Sequence, residues 1–288
     1  MNLRKTLAGL VALFVLSVGV ADARGMLDFV LAPQAEKKEY RSGSLSADEA
    51  LGLYSAQQRQ NSFAACVDQF PGNRPLDLAR VPATMKPMAL CSNGFAVLYS
   101  QTSKSPLVVV ERLSAARLRD AKGEERTNNF FADPRIPANG RAELSDFRGQ
   151  EPSVDRGHMS PAADAPDQHA MSQSFALSNM VAQDPASNRK TWNKVEQDTR
   201  KFATRASGNV FVFSGPIFDE GHGTIGKNKV WKPTRLFKLV YDEATGRAWA
   251  FVLPNAESPL TRPMDYATFV KVTGMRLLDG QRITGSIS

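Results

Sequence analysis

The chain has 288 residues, of which 36 are Lys or Arg and 29 are Asp or Glu, so its formal net charge is +7 at pH 7. A basic balance of this kind suits polyanions, acidic surfaces and nucleic acid equally well, and it does not choose among them. Two cysteines and three histidines exclude a cysteine-rich structural zinc site.

The N-terminus has the layout of a secretory signal peptide, here residues 1–23. Two basic residues precede an apolar run from Leu7 to Val20, and the small residues Ala21 and Ala23 follow the run. The run is short for a membrane span, so we expect cleavage after Ala23 and an exported protein, periplasmic or extracellular. A signal anchor is the alternative. Charges interrupt every later apolar stretch, so no membrane contact is expected after cleavage.

Residues 24–80 are interpreted as an N-terminal extension that is either packed on the main domain or loosely tethered to it. Within this extension the sequence pattern predicts a helix near residues 47–59. In an oxidising compartment Cys66 is expected to pair with Cys91, and the bridge would contribute roughly 2–4 kcal/mol of stability. Two buried free thiols are the alternative.

Residues 81–288 are interpreted as the main domain, which begins with short strands. Residues 95–99 and 107–111 are rich in β-formers and are separated by Ser, Thr and Pro, which predicts an antiparallel hairpin. The run Val108–Val110 suggests a strand buried on both faces. The polar stretch 117–148 that follows is a long irregular connection, and such connections are more often functional than not.

The rest of the main domain mixes short strands with helices. The predicted elements are a helix at 168–175, a strand at 176–181, a helix at 188–203, strands at 210–214, 236–241 and 248–253, and a helix at 266–273. Strands and helices do not alternate regularly, which favours an α+β fold with a mainly antiparallel sheet over a doubly wound fold.

The tetrapeptide Asp155-Arg156-Gly157-His158 is the first segment that carries chemistry. His158 titrates in the useful range and can take a proton from water near neutral pH. Asp155 and Arg156, expected in the same turn, could orient the imidazole or hold a substrate phosphate, and Gly157 would allow a tight backbone approach. A histidine, a metal and an arginine would together meet the needs of phosphodiester hydrolysis.

The second segment places Asn188, Trp192 and Glu196 at four-residue spacing. Four residues are close to one helical turn, so Asn188 and Glu196 would share a helix face. An amide oxygen and a carboxylate that face one point suit a hard cation such as Mg²⁺, which keeps most of its waters. Trp192 is interpreted as core packing beneath this face.

Three strings, DRGHMSP at 155–161, LSNM at 177–180 and NRKTWNKVE at 188–196, resemble the DNA/RNA non-specific endonucleases of the ββα-metal (His-Me finger) superfamily. The resemblance extends less tightly from about residue 87 to about residue 273. It implies a ββα-metal catalytic core and an endonuclease that hydrolyses DNA and RNA to 5′-phosphate and 3′-hydroxyl ends.

The resemblance also implies roles for individual residues. His158 stands where that family has its general base, and Asn188 where it has the direct protein ligand of Mg²⁺. Glu196 falls where a glutamate holds metal-bound waters, and Asn179 where a second asparagine supports the site. The Mg²⁺, for which Mn²⁺ could substitute, would contact a non-bridging oxygen and the leaving oxygen.

In that family an arginine upstream of the motif usually stabilises the transition state. Residues 128–134 resemble the corresponding stretch, but an ungapped match puts Asn128 where the arginine would fall. Arg126, two residues earlier, is assigned this role, with Arg135 as the reserve.

Basic residues on the second segment could follow a nucleic-acid backbone. They are Arg189, Lys190, Lys194, Arg200 and Lys201. For Arg200 and Lys201 a solvated helix face is the favoured interpretation. Contacts to phosphate and sugar carry no direct sequence information, so base identity is expected to matter little.

Two other functions stay open: a catalytically silent nucleic-acid-binding module, and a phosphodiesterase for another exported phosphodiester. His169 and His222 lie outside the matched strings and are interpreted as structural. Residues 221–226 fit GxGxxG but lack the strand and helix of a dinucleotide site, so we interpret them as a loop. The sequence leaves open whether the chain forms a homodimer.

Overall fold

The computed structural model describes residues 45–121, 123 and 126–287. The predicted signal peptide and the first part of the predicted extension lie outside the described residues. From residue 45 onward the described chain belongs to one compact unit. No helix in this described portion is long and apolar enough to cross a bilayer.

A seven-stranded antiparallel sheet forms the centre of the molecule. Its strands, in spatial order, are β1 (Pro87–Cys91), β2 (Phe95–Ser100), β3 (Ser105–Leu113), β6 (Val210–Ile217), β9 (Arg235–Asp242), β10 (Arg247–Pro254) and β11 (Met264–Asp265). The predicted hairpin is the β2–β3 pair. The three later strands are present too, each slightly longer than predicted, so the prediction of a mainly antiparallel α+β fold is confirmed.

Both faces of this sheet are covered, because side chains alternate between them along each strand. Val109 belongs to the apolar cluster on one face, whereas Val108 and Val110 belong to the cluster on the other. All three are almost fully buried, as the valine run predicted. The sheet is therefore the middle layer of three, and each of its faces can carry a different set of elements.

The first face carries a small hairpin followed by a long helix. Strand β4 (Asp155–His158) pairs antiparallel with β5 (Met180–Gln183), and a helix then runs through a π-helical turn, Ser187–Trp192, into α4 (Asn193–Arg205). The motif expected in a turn is therefore a strand. The strand predicted at 176–181 begins later, because residues 177–179 form a 3₁₀ turn before it.

Four shorter α-helices complete the described part of the fold. They are α1 (Ala47–Gly52), α2 (Ala115–Asp120), α3 (Gln168–Ser174) and α5 (Tyr266–Thr273). The helix predicted over 47–59 is wrong beyond Gly52, because the guanidinium of Arg59 folds back and donates hydrogen bonds to the carbonyls of Leu51 and Tyr54. A side chain thus satisfies carbonyls at the helix end and stops its continuation. A second short hairpin, β7 (Thr224–Ile225) with β8 (Val230–Trp231), packs beside β5.

The segment before β1 is packed onto the second face of the sheet. Phe63, Cys66 and Phe70 join the apolar cluster on that face, together with Phe269 of α5. Cys66 and Cys91 form the predicted disulfide, with their Cα atoms 5.5 Å apart. For this described part of the predicted extension, the packed arrangement is the one observed.

Candidate active site

His158 ends strand β4, with its side chain 9% exposed. Its ring lies against two phenyl rings, with centroid distances of 5.8 Å to Phe130 and 5.1 Å to Phe175. Phe175 meets the imidazole edge to face, an arrangement that fixes the plane of the ring. Nε2 is buried and has no hydrogen-bond partner within the described part of the chain.

This environment keeps the imidazole neutral. Burial and, to a smaller extent, the positive charges of Arg126 and Arg156 together lower the pKa of His158 to about 3. The imidazole is therefore neutral across the neutral pH range. A neutral imidazole has a nitrogen lone pair that can accept a hydrogen bond or a proton from water.

Two guanidinium groups flank the ring, and each stacks on one of the two phenyl groups. Arg156 lies 4.0 Å from the centroid of Phe130, and Arg126 lies 5.1 Å from that of Phe175. Cation–π contacts of this kind hold the cations without neutralising them. Arg126 also donates from Nε to Oδ1 of Asn128 at 2.7 Å, and Asn128 adopts a left-handed φ of 52°.

The reserve candidate, Arg135, lies elsewhere and is a buried structural residue. Its side chain is 1% exposed and makes an ion pair with Asp133 at 2.6 Å. It also donates to the carbonyl oxygen of Cys91 and stacks on Tyr54, with 3.7 Å to the ring centroid. These contacts use the guanidinium fully, so Arg135 is not available to a substrate.

Asp155, at the start of β4, connects the motif to the long helix. One carboxylate oxygen accepts a hydrogen bond from Nδ2 of Asn188 at 2.9 Å. Arg189 donates to both oxygens, at 2.8 and 2.7 Å. Partial burial raises the pKa of Asp155, but the hydrogen bonds from Arg189 and Asn188 outweigh it, and the net shift is downward.

These contacts correct two expectations. Asp155 is directed to Asn188 and Arg189 rather than to the imidazole, because β4 is extended and its side chains alternate between faces. Arg189 is held by Asp155 in a two-pronged ion pair and is not a free cation.

Asn188 carries an amide oxygen, which is a ligand type that suits a hard cation. Asp155 engages its amide nitrogen, so the amide oxygen is the atom directed to a different partner. Within the described ranges, no cluster of three or more His, Cys, Asp or Glu side chains could enclose a metal. A single amide oxygen with water completing the shell fits Mg²⁺, which demands few protein ligands.

Asn179 is fully buried and holds the chain that follows His158. Its Oδ1 accepts from the backbone nitrogen of Ser160, and its Nδ2 donates to the carbonyls of Ser160 and Ser174, each at 2.9 Å. The Asn179 side chain therefore fixes the backbone around the base and makes no approach to a substrate.

Gly157 is required by close packing between the two strands of the small hairpin. A Cβ atom at this position would lie 1.9 Å from Oε1 of Gln183, the side chain of the opposing strand. The tight approach expected at Gly157 is thus the contact of its backbone with the Gln183 side chain.

Glu196 lies on α4 and is partly buried. Burial lowers the pKa of Arg126, and the charge of Glu196 raises it. Burial raises the pKa of Glu196 to about 7, and the nearby carboxylate of Asp164 adds to the rise, while Lys238 and Arg200 oppose it. Trp192, one turn earlier, is 1% exposed, in keeping with its interpretation as core packing.

Sequence reasoning missed the charged residues beneath Glu196. Glu111 on β3 is 3% exposed and Lys238 on β9 is 1% exposed. A usable signal was present, since each is a charged residue inside an apolar strand, in VVVER and LFKLV. Charged side chains are almost never fully buried unless they are paired.

Most basic residues of the long helix are engaged in ion pairs. Lys190 pairs with Glu257 at 2.5 Å, and Lys194 pairs with a carboxylate of its own helix. Arg200 pairs with the buried Asp164, so its assignment to a solvated face is wrong. Lys201 is exposed, as expected. Few of these charges are therefore free to follow a nucleic-acid backbone.

The two remaining histidines have local structural contacts. His169 contacts the carbonyl oxygen of Leu53 at 2.7 Å, and His222 stacks on Trp231 with 4.1 Å between ring centroids. The glycine-rich string that contains His222 leads into the short hairpin β7–β8, without the long strand and helix of a dinucleotide site.

Comparison with known proteins supports the resemblance. A family model described as DNA/RNA non-specific endonuclease matches residues 75–281. Human mitochondrial endonuclease G is 36% identical over 185 residues, which are 59% of this chain and 61% of that protein. The mitochondrial nuclease EXOG of Danio rerio is 31% identical over 230 residues, 74% of this chain and 64% of that protein.

A fungal relative and a solved structure extend the comparison. Nuclease C1 of Cunninghamella echinulata var. echinulata is 32% identical over 205 residues, 64% of this chain and 80% of that protein. A chain in the crystal structure of the EndoG/EndoGI complex has the same fold, with a TM-score of 0.62 and 24% identity, and the match covers 74% of this chain and 98% of that chain. The chain spans less than two thirds of the length of the two mitochondrial relatives.

Proposed function

Because the chain belongs to the DNA/RNA non-specific endonuclease family, we propose that it is an exported, Mg²⁺-dependent endonuclease that hydrolyses phosphodiester bonds of both DNA and RNA. The observation that carries the proposal is the arrangement around His158. A neutral, buried imidazole lies near two arginines, and among the described residues neither arginine forms a salt bridge with a carboxylate. A general base and an anion-binding pair are thus combined in one place.

His158 acts as the general base in this proposal. Phe130 and Phe175 fix its ring, and Asn179 fixes the backbone next to it, so the imidazole is held ready for a water molecule. Accepting the proton from that water gives the nucleophile for in-line attack on phosphorus. The low pKa of His158 ensures that the ring has a lone pair to accept the proton at neutral pH.

Arg126 and Arg156 bind the scissile phosphate and the charge that develops on it. Both guanidinium groups act on the same imidazole, so a phosphate beside His158 would lie within reach of both. Charge stabilisation by pre-positioned donors is commonly a large contribution to catalysis. Arg126, which is exposed and lies within the electrostatic influence of Glu196, takes the transition-state role.

Asn188 would hold the cation through its amide oxygen, and Asp155 keeps that amide in one orientation by accepting a hydrogen bond from its nitrogen. When bound, Mg²⁺ would supply Lewis-acid stabilisation of charge on the phosphate and on the leaving oxygen. Glu196, whose charge acts on Arg126, would hold water molecules bound to the cation. These assignments account for the spacing of the second segment.

The substrate class follows from the kind of groups that the site offers. Arg126 and Arg156 recognise phosphate, which DNA and RNA share, and phosphate contacts carry no base information. We therefore propose that the enzyme does not distinguish deoxyribose from ribose.

Export is supported by the predicted signal peptide and by the Cys66–Cys91 disulfide, since disulfides persist in oxidising compartments. The names of the two vertebrate relatives place those proteins in mitochondria. The proposal leaves two destinations, the periplasm and the medium. Isolating the processed protein from each fraction and sequencing its N-terminus shows where it is found and where it is cleaved. Export predicts a chain that begins at Arg24.

The central experiment measures degradation of supercoiled plasmid and of RNA, with Mg²⁺ and with EDTA. His158→Ala is expected to lower the rate by about 10²–10⁴-fold, the range for loss of a general base. His169→Ala, which removes a histidine outside the site, is the matched control and should retain the rate.

Other outcomes identify the alternatives. Unchanged cleavage by His158→Ala would refute the mechanism. Salt-sensitive binding without strand scission would identify a silent binding module. Strong competition by small phosphodiesters, but not by short oligonucleotides, would indicate a different phosphodiester substrate.

A further inference from the structure

A cluster of charged side chains lies beneath the catalytic helix, between it and the central sheet. Its members, called here the buried charge cluster, are Glu111, Asp164, Glu196, Arg200 and Lys238. Three carboxylates face two cations in this set. Only the pair of Arg200 and Asp164 makes a direct ion pair among the described residues.

Lys238 occupies the centre of this cluster. It projects from β9 into the otherwise apolar cluster on this face of the sheet, flanked by Leu236 and Val240. Its ammonium group donates to Oγ of Ser214, its partner on β6, at 2.7 Å. The same group lies 5.0 Å from the ring centroid of Trp192. A single buried cation thus touches the sheet on one side and the helix on the other.

Glu111 connects the cluster to the strand of the general base. One of its carboxylate oxygens accepts a hydrogen bond from Oγ of Ser160 at 2.8 Å, and Ser160 is two residues beyond His158. Asn179 holds the backbone of the same serine. The two halves of the active site, the strand with His158 and the helix with Glu196, therefore rest on one set of buried charges.

The charge of Lys238 acts on all three carboxylates. Burial raises the pKa of Glu111 to about 8 and that of Glu196 to about 7, and Lys238 opposes the rise in each case. It also lowers the pKa of Asp164, which burial raises. Burying a cation with no direct ion pair is costly, so its retention in the sheet needs a reason.

We propose that Lys238 is a positioning residue for the reaction, which supports Trp192 from below and provides a buried positive charge beneath Glu196, one turn further along the same helix. The inference rests on the proposed function, because it concerns the residue assigned there to hold water. Lys238 itself is too deeply buried to touch a nucleic acid.

The charged groups around Glu196 come from several elements of the fold. Arg200 is on the same helix, Lys238 is on β9, and Asp164 ends the 3₁₀ turn Ala162–Asp164. Glu111 on β3 and Arg126, which precedes the small hairpin, also interact with it. Of the two cations beneath Glu196, Arg200 is already paired with Asp164, so Lys238 is the one left to balance Glu111 and Glu196.

The test compares Lys238→Met, which keeps the length but removes the charge, with Lys238→Arg, which keeps the charge. Each is made alone and together with Glu196→Gln. Lys271→Met, on the exposed part of α5, is the control for loss of a lysine. The measured quantities are kcat for plasmid cleavage at saturating Mg²⁺ and the urea unfolding of the metal-free protein.

Lys238→Met should lower kcat by about 10–100-fold, the usual effect of losing a supporting residue. Lys238→Arg should restore a large part of the rate. Once Glu196→Gln is present, Lys238→Met should change kcat by less than about threefold, because the residue through which it acts is altered. An equal loss in both backgrounds, or no loss in either, would overturn the proposal.

Unfolding of the metal-free protein is a second readout that does not depend on activity. Lys238→Met should destabilise the protein more at about pH 8.5 than at about pH 5.5, because ionised carboxylates then lack their counter-charge. Lys271→Met should show no such difference. An equal loss at both pH values would mean that Lys238 only fills space.

If Lys238→Met does not fold, Ser214→Ala removes only the hydroxyl that accepts from the ammonium group. It should lower kcat less strongly, and Glu196→Gln should again suppress the effect. If Ser214→Ala lowers kcat by the same factor with and without Glu196→Gln, the proposal is contradicted. Absence of cleavage in the wild-type protein would refute the proposed function, yet the unfolding data would still test the charge of Lys238.

Discussion

At the scale of single residues, the site is built by surroundings that change what each side chain can do. His158 has an ordinary pKa of 6.5, and burial beside two arginines moves it to about 3. Arg126 and Arg135 are separated by few residues in the chain, yet one is exposed beside the imidazole and the other is buried in an ion pair. Residue type alone does not distinguish them.

Arg126 allows a prediction at this scale. Arg126→Ala should lower kcat by about 10²–10³-fold, with a smaller change in KM, since the charge it stabilises develops in the transition state. Steady-state cleavage of a short duplex measures both constants. Arg119→Ala, an exposed arginine on α2, is the control and should behave as wild type.

The opposite result is equally informative. If Arg126→Ala keeps its kcat while Arg156→Ala loses it, the transition-state role belongs to Arg156, the other guanidinium beside His158.

At the scale of elements, strand β4 and the long helix form one unit because Asp155 joins them. The helix begins with a π-helical turn at Ser187–Trp192, which contains both Asn188 and Arg189. π-helical turns occur frequently at functional sites. Here the turn presents two consecutive side chains to the same carboxylate, which then fixes the amide of Asn188.

Asp155→Ala tests this link. Without the carboxylate the amide of Asn188 can rotate, so the apparent affinity for Mg²⁺ should fall by about 10–100-fold. Excess Mg²⁺ should recover part of the rate. The Mg²⁺ dependence of cleavage and the Mg²⁺-induced shift in melting temperature are the two measurements.

A helix carboxylate outside the site gives the matched control. Asp198→Ala breaks only the pair with Lys194 on α4 and should leave the Mg²⁺ dependence unchanged. A similar loss in both variants, or none in Asp155→Ala, would show that Asp155 does not position Asn188.

At the scale of the whole molecule, both faces of the sheet are covered by apolar clusters, but one face also buries charged side chains. The second face is an apolar layer closed by the disulfide segment and α5. The first face is also covered by an apolar cluster, but it buries Glu111 and Lys238 as well. Buried charges of this kind make folding depend on pH.

The free energy of unfolding of the metal-free protein should therefore fall between about pH 6.5 and about pH 8. Glu111 and Glu196 have pKa values of about 8 and about 7 in the folded state, against an ordinary value of 4.5. The folded state therefore binds more protons than the unfolded state, and its advantage is lost as pH rises through the folded values. The lowered pKa of His158 makes the free energy of unfolding rise with pH, but only below about pH 6.5, where the unfolded histidine is protonated.

Urea unfolding in EDTA across this pH range measures the slope. Glu111→Gln should flatten the upper part of the curve, because the carboxylate with the highest of these values is removed. A curve for Glu111→Gln that runs parallel to that of the wild type would show that Glu111 does not take up a proton on folding.

The fold and the central motif could be predicted because they depend on local patterns. Runs of β-formers predicted the strands of the sheet, and helix α5 begins and ends at the predicted residues, Tyr266 and Thr273. The helix near residue 47 was predicted too long, because Arg59 returns to its end through tertiary folding. Periodicity reports on neighbours along the chain and not on such returning contacts.

By itself, the sequence determined the family, the α+β class and the segments that carry chemistry, since these depend on order, spacing and residue type. Tertiary structure decided which charges remain free. In the folded chain Arg189 pairs with Asp155, and Arg200 pairs with Asp164. Arg135 is buried in an ion pair, and Asp155 accepts a hydrogen bond from Asn188. Lys238 and Glu111 lie beneath Glu196. Charge pairing and burial depend on residues far apart in the chain, and only the packed sheet and helix bring those residues together.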